Sequence, residues 1–217
     1  MKIRNIIITF VSALALLLST SVTSFAKVVG DKIILGSAIS LTGKYSSNGV
    51  HTQNGYNMAV DRINSMGGVK VGGKTYKFEI IYYDDESNPK RAAQLAERLI
   101  SQDGVEYMLG PYSSGLTKAI ALITEKYGVP MVEANGASRS LFTKGYKYLF
   151  AVLAPANLYL DVAIDLAVEK NGGKPVSVAM AFEQDAFSQD VRLGVVEAIE
   201  RRGSKKVIGD RRPKELN

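Results

Sequence analysis

Two consecutive serines, Ser113 and Ser114, stand at the start of a segment with helical spacing. The first-turn backbone N–H groups of a helix lack partners and the macrodipole there is positive, so a carboxylate placed at such a point collects hydroxyl and amide hydrogen bonds together. One serine could instead be the helix N-cap, and the two could divide the roles. Their loop, Gly110-Pro111-Tyr112-Ser113-Ser114-Gly115, has the same character as Ser40-Leu41-Thr42-Gly43 and Asn135-Gly136-Ala137-Ser138. All three are rich in hydroxyls, small residues and accessible backbone, and poor in charge. Such a rim suits a small polar ligand whose charges are met by dipoles.

Other candidate groups carry less chemistry. Asp84-Asp85-Glu86 could suggest a divalent metal or a paired acid and base, but neighbouring side chains on an extended chain point apart, so a solvated or capping role is expected. There is no cysteine, which removes disulfides, thiolate metal sites and a cysteine nucleophile; His51 is the single histidine and has no partner histidine, so a surface or loop role is expected for it rather than a triad or a histidine-based metal centre. No Walker A, G-x-G-x-x-G or G-x-S-x-G pattern occurs, and no late histidine that a hydrolase would need. No enzyme activity, metal or cofactor is therefore expected. The basic tail (Arg201, Arg202, Lys205, Lys206, Arg211, Arg212 and Lys214) has no aromatic residue to stack bases, so no nucleic-acid partner is expected either. Tyr45, Tyr56, Tyr112 and Phe187 could line an apolar wall or belong to the core; Tyr112 and Phe187 fall in strand-end loops.

The elements that would position these loops alternate between short apolar strands and longer helical segments, the pattern of βαβ units and a mainly parallel α/β sheet. Strands are predicted over 32–39, 75–83, 106–110, 129–133, 148–153, 175–181 and 205–208. Helices are predicted up to about Met66 with Tyr56, Ala59, Ile63 and Met66 recurring at three and four, then over 89–101 with Ala92, Leu95, Ala96 and Leu99 on its buried stripe, and over 113–127, 157–170 and 188–201. Gly72-Gly73 makes a tight turn, Asn88-Pro89 caps and opens a helix, and Gly128 closes one. A lobe boundary is placed at Ala154-Pro155-Ala156, giving lobes at 27–153 and 154–217.

With 217 residues, 46% of them hydrophobic, and a net charge of +6, the composition is that of a globular protein with only a weak pull toward polyanions. Residues 1–26 read as a cleavable export signal: a basic start, an apolar run from Ile6 to Leu18 and Ser24-Phe25-Ala26 at the cleavage point. The run falls short of the roughly 20 apolar residues a bilayer needs. A soluble product outside the cytoplasm, in a bacterial periplasm, is the expectation. About 65 residues of second lobe is short against the 100–150 typical of a domain, so C-terminal incompleteness is expected, the alternative being a short lobe completed by dimerisation.

The run Ile39-Ser40-Leu41-Thr42-Gly43-Lys44-Tyr45, the segment Gly55 to Gly68 with Ala59-Val60-Asp61-Arg62-Ile63-Asn64, and Tyr83-Asp84-Asp85-Glu86-Ser87-Asn88-Pro89 resemble the periplasmic binding proteins of branched-chain amino-acid ABC transporters. So do Met108-Leu109-Gly110-Pro111-Tyr112-Ser113-Ser114, Gly128-Val129-Pro130-Met131-Val132 and Gln184-Asp185-Ala186-Phe187-Ser188-Gln189-Asp190. The likeness covers nearly all of 32–203 in the family's order. It implies a type I periplasmic-binding-protein fold: doubly wound parallel sheets in two lobes that close on a ligand, here with the second lobe truncated. By that pattern Ser114 looks like the carboxylate-binding serine, beside Ser113 and Tyr112. Asn135, Gly136 and Ala137 look like a loop whose backbone contacts the ligand, Phe187 like the second lobe's aromatic, and Asn48 falls near an aromatic position of the first loop. Better-known members have Ala and Thr where this chain has Asn135 and Ala137, which leaves room for an amide or urea-like ligand beside an amino acid. The family's ammonium-pairing acid and return crossover come after Asn217. The resemblance implies a small-molecule ligand and an inner-membrane ABC permease as partners of a monomer; a ligand-sensing domain of the same fold, or an inert truncated product, are the other readings.

Overall fold

Lys32–Ile39 form β2, the spine of the larger sheet, with Ile33, Ile34, Ala38 and Ile39 buried. A strand covered on both faces reads as a continuous apolar run, which is how its sequence looks. It pairs in parallel with β4 (Lys74–Asp84) from Lys32↔Lys77 to Ile39↔Asp84, and on its other side with β5 (Met108–Leu109) at Gly36↔Met108. Beyond β5 lie β6 (Met131–Glu133) and β7 (Leu149–Ala151), both parallel. Val28–Val29 (β1) pairs antiparallel with β2, and Val69–Val71 (β3) forms a hairpin with β4 across Gly72-Gly73. The computed structural model describes residues 28–203 and the backbone of 205–212; the expected export signal and the chain's last residues lie outside them.

The order β3-β4-β2-β5-β6-β7 winds outward in both directions from β2. Connections leaving the carboxyl ends of β2 and β5 therefore diverge, opening the crevice in which α/β sheets hold ligands. Helix α1 (Ser46–Ser65) follows β2, α2 (Pro89–Ser101) follows β4 and α3 (Ser114–Tyr127) follows β5. The Asn88 side chain caps α2 by accepting from the N–H groups of Lys90 and Arg91, with Pro89 in the first turn. Ala92, Ala96 and Leu99 of α2 meet Leu116 and Ile120 of α3 over Met108 and Met131, forming the main core. Burying side chains of this size stabilises by about 1.5–3 kcal/mol each for the larger ones. Gly128 ends α3 with φ 67°, a conformation in which a Cβ would be strained.

The smaller unit holds α4 (Asp161–Lys170), β8 (Ser177–Glu183), α5 (Ala186–Arg201) and β9 (Lys205–Arg212), with β8 and β9 parallel. Ile164, Val195, Ala198 and Ile199 form its core beneath Val178 and Met180. Asp185 caps α5 by accepting from the N–H groups of Phe187 and Ser188. Arg201 and Arg202 pair with Asp161, and Arg202 also with Asp165, so this part of the basic stretch ties α5 to α4.

Three expectations need correction. The four residues that recur along the first helix do not share one covered face: Ala59 and Met66 are exposed, whereas Tyr56 and Ile63 are half-buried and hold α1 together with Asn64, whose carboxamide brackets the backbone of Phe78. The continuous helix expected over 157–170 is a 3-10 turn, Ala156–Leu158, followed by α4. Ala156 is fully buried with its N–H given to Ala137 O at 2.7 Å, and Gly194 of α5 approaches Asn157 O so closely that a Cβ would collide, so packing fixes a tight turn there. Strands β5, β6 and β7 are shorter than predicted, and β9 starts at Lys205 as expected and runs to Arg212. On the sheet face opposite Met108, Met131 and Leu149, Val132 and Phe150 remain 41% and 51% exposed.

Candidate ligand-binding cleft

The loops after β2, β5, β6 and β8 meet around one cavity of about 730 Å³ between the two units. Lys44, Tyr45 and Asn48 come from the first loop and the start of α1, Tyr112, Ser113 and Ser114 from the second. Ala134 and Asn135 come from the third, while Glu183 to Ser188, with Tyr159, form the opposite wall. Of the eight residues expected at the site, Ser114, Ser113, Tyr112, Asn135, Phe187 and Asn48 line the cavity together. Gly136 and Ala137 are buried and not among the lining residues.

Helix α3 delivers the central feature. Ser113 occupies its N-cap position, yet no side chain caps the helix. Ser114 is 2% exposed and its Oγ accepts from the N–H of Ser138 at 3.1 Å. Neither serine is the cap that the sequence allowed, so the first-turn amides keep their capacity for an anion. In the bond from Ser138 N–H the Ser114 oxygen is the acceptor, which leaves its hydroxyl hydrogen to donate. The Tyr112–Ser113 peptide bond is cis.

The carboxylates of the second candidate group are framework, and Asp85 is buried rather than solvated. Asp84 Oδ1 accepts from the N–H groups of Leu41, Thr42 and Glu86 at 2.9, 3.2 and 2.9 Å, and Oδ2 from the Thr42 hydroxyl at 2.7 Å. Burial works to raise the Asp84 pKa, but these four donors outweigh it and hold the carboxyl below its ordinary value. Asp85 accepts from the Ser40 hydroxyl at 2.6 Å and from Ser87 N–H at 2.8 Å, and burial pushes its pKa up. Ser87 Oγ then donates to Thr42 O and accepts from Tyr45 N–H. The wall carrying Tyr45 and Asn48 is thus clamped to the end of β4. His51 is exposed on α1, and among the described residues no cluster of His, Cys, Asp or Glu could hold a metal ion.

Aromatic rings stand on both sides. Tyr45 and Tyr112 meet edge to face at 5.6 Å, and Tyr159 and Phe187 do so at 5.5 Å. Burial raises the Tyr112 pKa, followed by the nearby Tyr45, Asp185 and Glu183, which places the acids of one wall within electrostatic reach of the other. Tyr56 is a framework residue: its hydroxyl donates to Gly110 O at 2.7 Å.

Glu133, Asp190, Lys118 and Tyr159 are not among the site residues that the sequence suggested, and Ser138 is there only as part of its loop. Glu133 had a signal, since a charged residue closing an apolar parallel strand has to find donors when buried. Ser138 N–H reaches Ser114, its hydroxyl donates to Asp190 Oδ2 at 2.5 Å, and Ser140 N–H donates to the same oxygen at 3.0 Å.

Comparison with known proteins bears on this cleft. A family model described as periplasmic binding protein matches residues 32–215. The leucine-, isoleucine-, valine-, threonine- and alanine-binding protein of Pseudomonas aeruginosa is 26% identical over 178 residues, 82% of this chain and 46% of its own. The Leu/Ile/Val-binding protein of Escherichia coli is 24% identical over 171 residues, 79% of this chain and 45% of its own. The chain thus spans about half the length of the curated relatives it matches. Among solved structures, the R. palustris ABC-transporter solute-binding protein in complex with 4-hydroxybenzoate is similar at TM-score 0.70 and 28% identity, covering 84% of this chain and 47% of that one. The branched-chain amino acid transporter substrate-binding protein of Streptococcus pneumoniae, in complex with isoleucine, is similar at TM-score 0.71 and 25% identity, covering 85% and 50%. Among the described residues no helix is long and apolar enough to cross a membrane. A doubly wound α/β fold with its cleft at the strand switch point, and a family match running through both units, make this chain a member of the periplasmic binding protein family.

Proposed function

We propose that the protein is an exported receptor that captures a small solute, either a carboxylate such as an amino acid or an amide or urea-like compound, and presents it to an inner-membrane ABC permease. The supporting observation is Ser114: a nearly buried hydroxyl at an uncapped helix start, on the wall of a cavity bounded by both units. The solute's carboxylate sits at Ser114 and the first turn of α3, its remainder between the aromatic pairs, with Asn48 and Asn135 offering carboxamides that both donate and accept. The reading carries two lobes, 27–153 and 154–217, working as a monomer in the periplasm. Ligand-driven population shift toward a closed form replaces any catalytic cycle.

Titration calorimetry with L-isoleucine, L-threonine, L-glutamine, urea and 4-hydroxybenzoate tests it. Binding of at least one, with a matching rise in melting temperature, is expected. Absence of heat and of any melting shift with all five overturns the reading, as does a co-crystal structure with the solute remote from Ser114.

A further inference from the structure

Glu133 closes β6 directly behind the cavity wall, and its side chain is wholly buried. Its Oε1 accepts from the backbone N–H groups of both Asn135 and Gly136, and its Oε2 from the Thr117 hydroxyl of α3 at 2.6 Å. The end of β5 is fitted around the same carboxyl, because a Cβ at Gly110 would run into it. From α1 the Tyr56 phenol faces it and is the titratable group in electrostatic contact with it. Lys118, next to Thr117, lines the cavity instead, and among the described residues no cation forms an ion pair with Glu133.

One carboxyl thus ties together the loop that presents Asn135, the helix that presents Ser114 and the strand end before Tyr112. Ionised, it is a buried charge behind the Ala134 and Asn135 wall of the cavity, bonded to the same helix α3 that presents Ser114, in surroundings that screen little. Protonated, it keeps the same bonds. The carbonyl oxygen accepts from the two amides, and the O–H donates to Thr117 Oγ1, which lies 3.5 Å from Pro111 O as its own acceptor.

We propose that Glu133 is the positioning residue of the carboxylate subsite and that it takes up a proton when an anionic solute binds, an inference that rests on the solute-binding reading above. Glu133 touches no solute; it acts through Asn135 and Gly136. Burial raises its pKa to about 7, opposed by the Thr117 hydroxyl and the loop amides, so the exchange falls near neutrality. By linkage, an arriving anion raises it further, and capture tightens as pH falls.

Three forms of the chain, wild type, Glu133→Gln and Glu133→Ala, are titrated with L-isoleucine and 4-hydroxybenzoate at pH 6, 7 and 8, in phosphate and in Tris. Wild-type Kd is expected to weaken about three- to tenfold from pH 6 to pH 8, with proton uptake shown by buffer-dependent heat. Glu133→Gln, which copies the protonated acid, is expected to hold the pH 6 affinity throughout; Glu133→Ala, which releases the wall, is expected to bind weakly at every pH. A probe that binds wild type with pH-independent affinity, or a Glu133→Gln profile identical to wild type, overturns this inference alone. Failure of both probes and of the other three solutes of the panel at every pH, with no melting shift, overturns the solute-binding reading itself; failure of these two alone moves the titration to whichever solute of the panel binds. As a readout that needs no solute, the Asn135 and Gly136 amide resonances of wild type should titrate near pH 7 and those of Glu133→Gln should not; flat resonances in both also overturn it.

Discussion

The hydroxyl of Ser138, in the loop after β6, donates to the carboxylate of Asp190 on α5 at 2.5 Å, and both residues are buried. Because the same serine gives its backbone N–H to Ser114 Oγ, the Ser114 hydroxyl on the cavity wall and the helix of the smaller unit share one intermediary.

Asp190→Ala leaves the Ser140 N–H without its acceptor and leaves the Ser138 hydroxyl only the longer bond to Ala186 O or the neighbouring Ser140 hydroxyl. A loss of about 1–3 kcal/mol of stability is expected, the usual cost of stranding buried donors, with Asp190→Asn losing less because its carbonyl oxygen still accepts. Urea unfolding of the three forms measures it.

Ser114→Ala removes both the proposed solute contact and the acceptor for Ser138 N–H. Affinity for a solute found in the calorimetric panel should fall about 5- to 100-fold, the equivalent of about 1–3 kcal/mol for a hydrogen bond to a charged group. Ser113→Ala, at a cap position whose side chain makes no cap bond, should leave the melting temperature close to wild type.

Stability itself should carry the mark of Glu133. Its folded pKa is raised from 4.5 to about 7, so the folded chain binds more protons than the unfolded one between those values. The contribution is fully present below pH 4.5 and is lost as pH rises to about 7, on the order of 3 kcal/mol in all. The difference in unfolding free energy between Glu133→Gln and wild type should therefore grow in favour of the variant from pH 4.5 to pH 8, a trend denaturant melts at several pH values will show or refute.

Gly49 lies on the buried side of α1, where a Cβ would collide with the backbone carbonyl of Ser40. Gly49→Ala must push α1 away from the end of β2, at about 1–3 kcal/mol or more for overpacking. Adjacent Asn48 would move with it. A lowered melting point accompanied by weaker solute binding is the expected pair of results.

Much of this architecture could be read from residue order. The continuous apolar run of β2, the Asn88-Pro89 cap and the Gly128 stop are local signals, and each element appears where its signal lies. Ser114, Asn135 and Phe187 share one cavity because strand-end loops of a doubly wound sheet converge by topology. What stayed hidden was long-range. Nothing within α5 announces that Asp190 reaches Ser138, 52 positions earlier, and nothing near Ala156 announces that Ala137 and Gly194 tighten the turn there. The first helix misled for the same reason: its stripe has helical period, but which face is covered depends on neighbours that periodicity does not name.

The double bracket of Asp84 and Asp85 has a kinetic meaning. With the backbone of Leu41, Thr42 and Tyr45 already anchored, a solute bound as proposed would meet one finished jaw and have no floppy segment to organise on that side. Encounter is then governed by diffusion into an open mouth, and discrimination between solutes is expressed in how long each one stays.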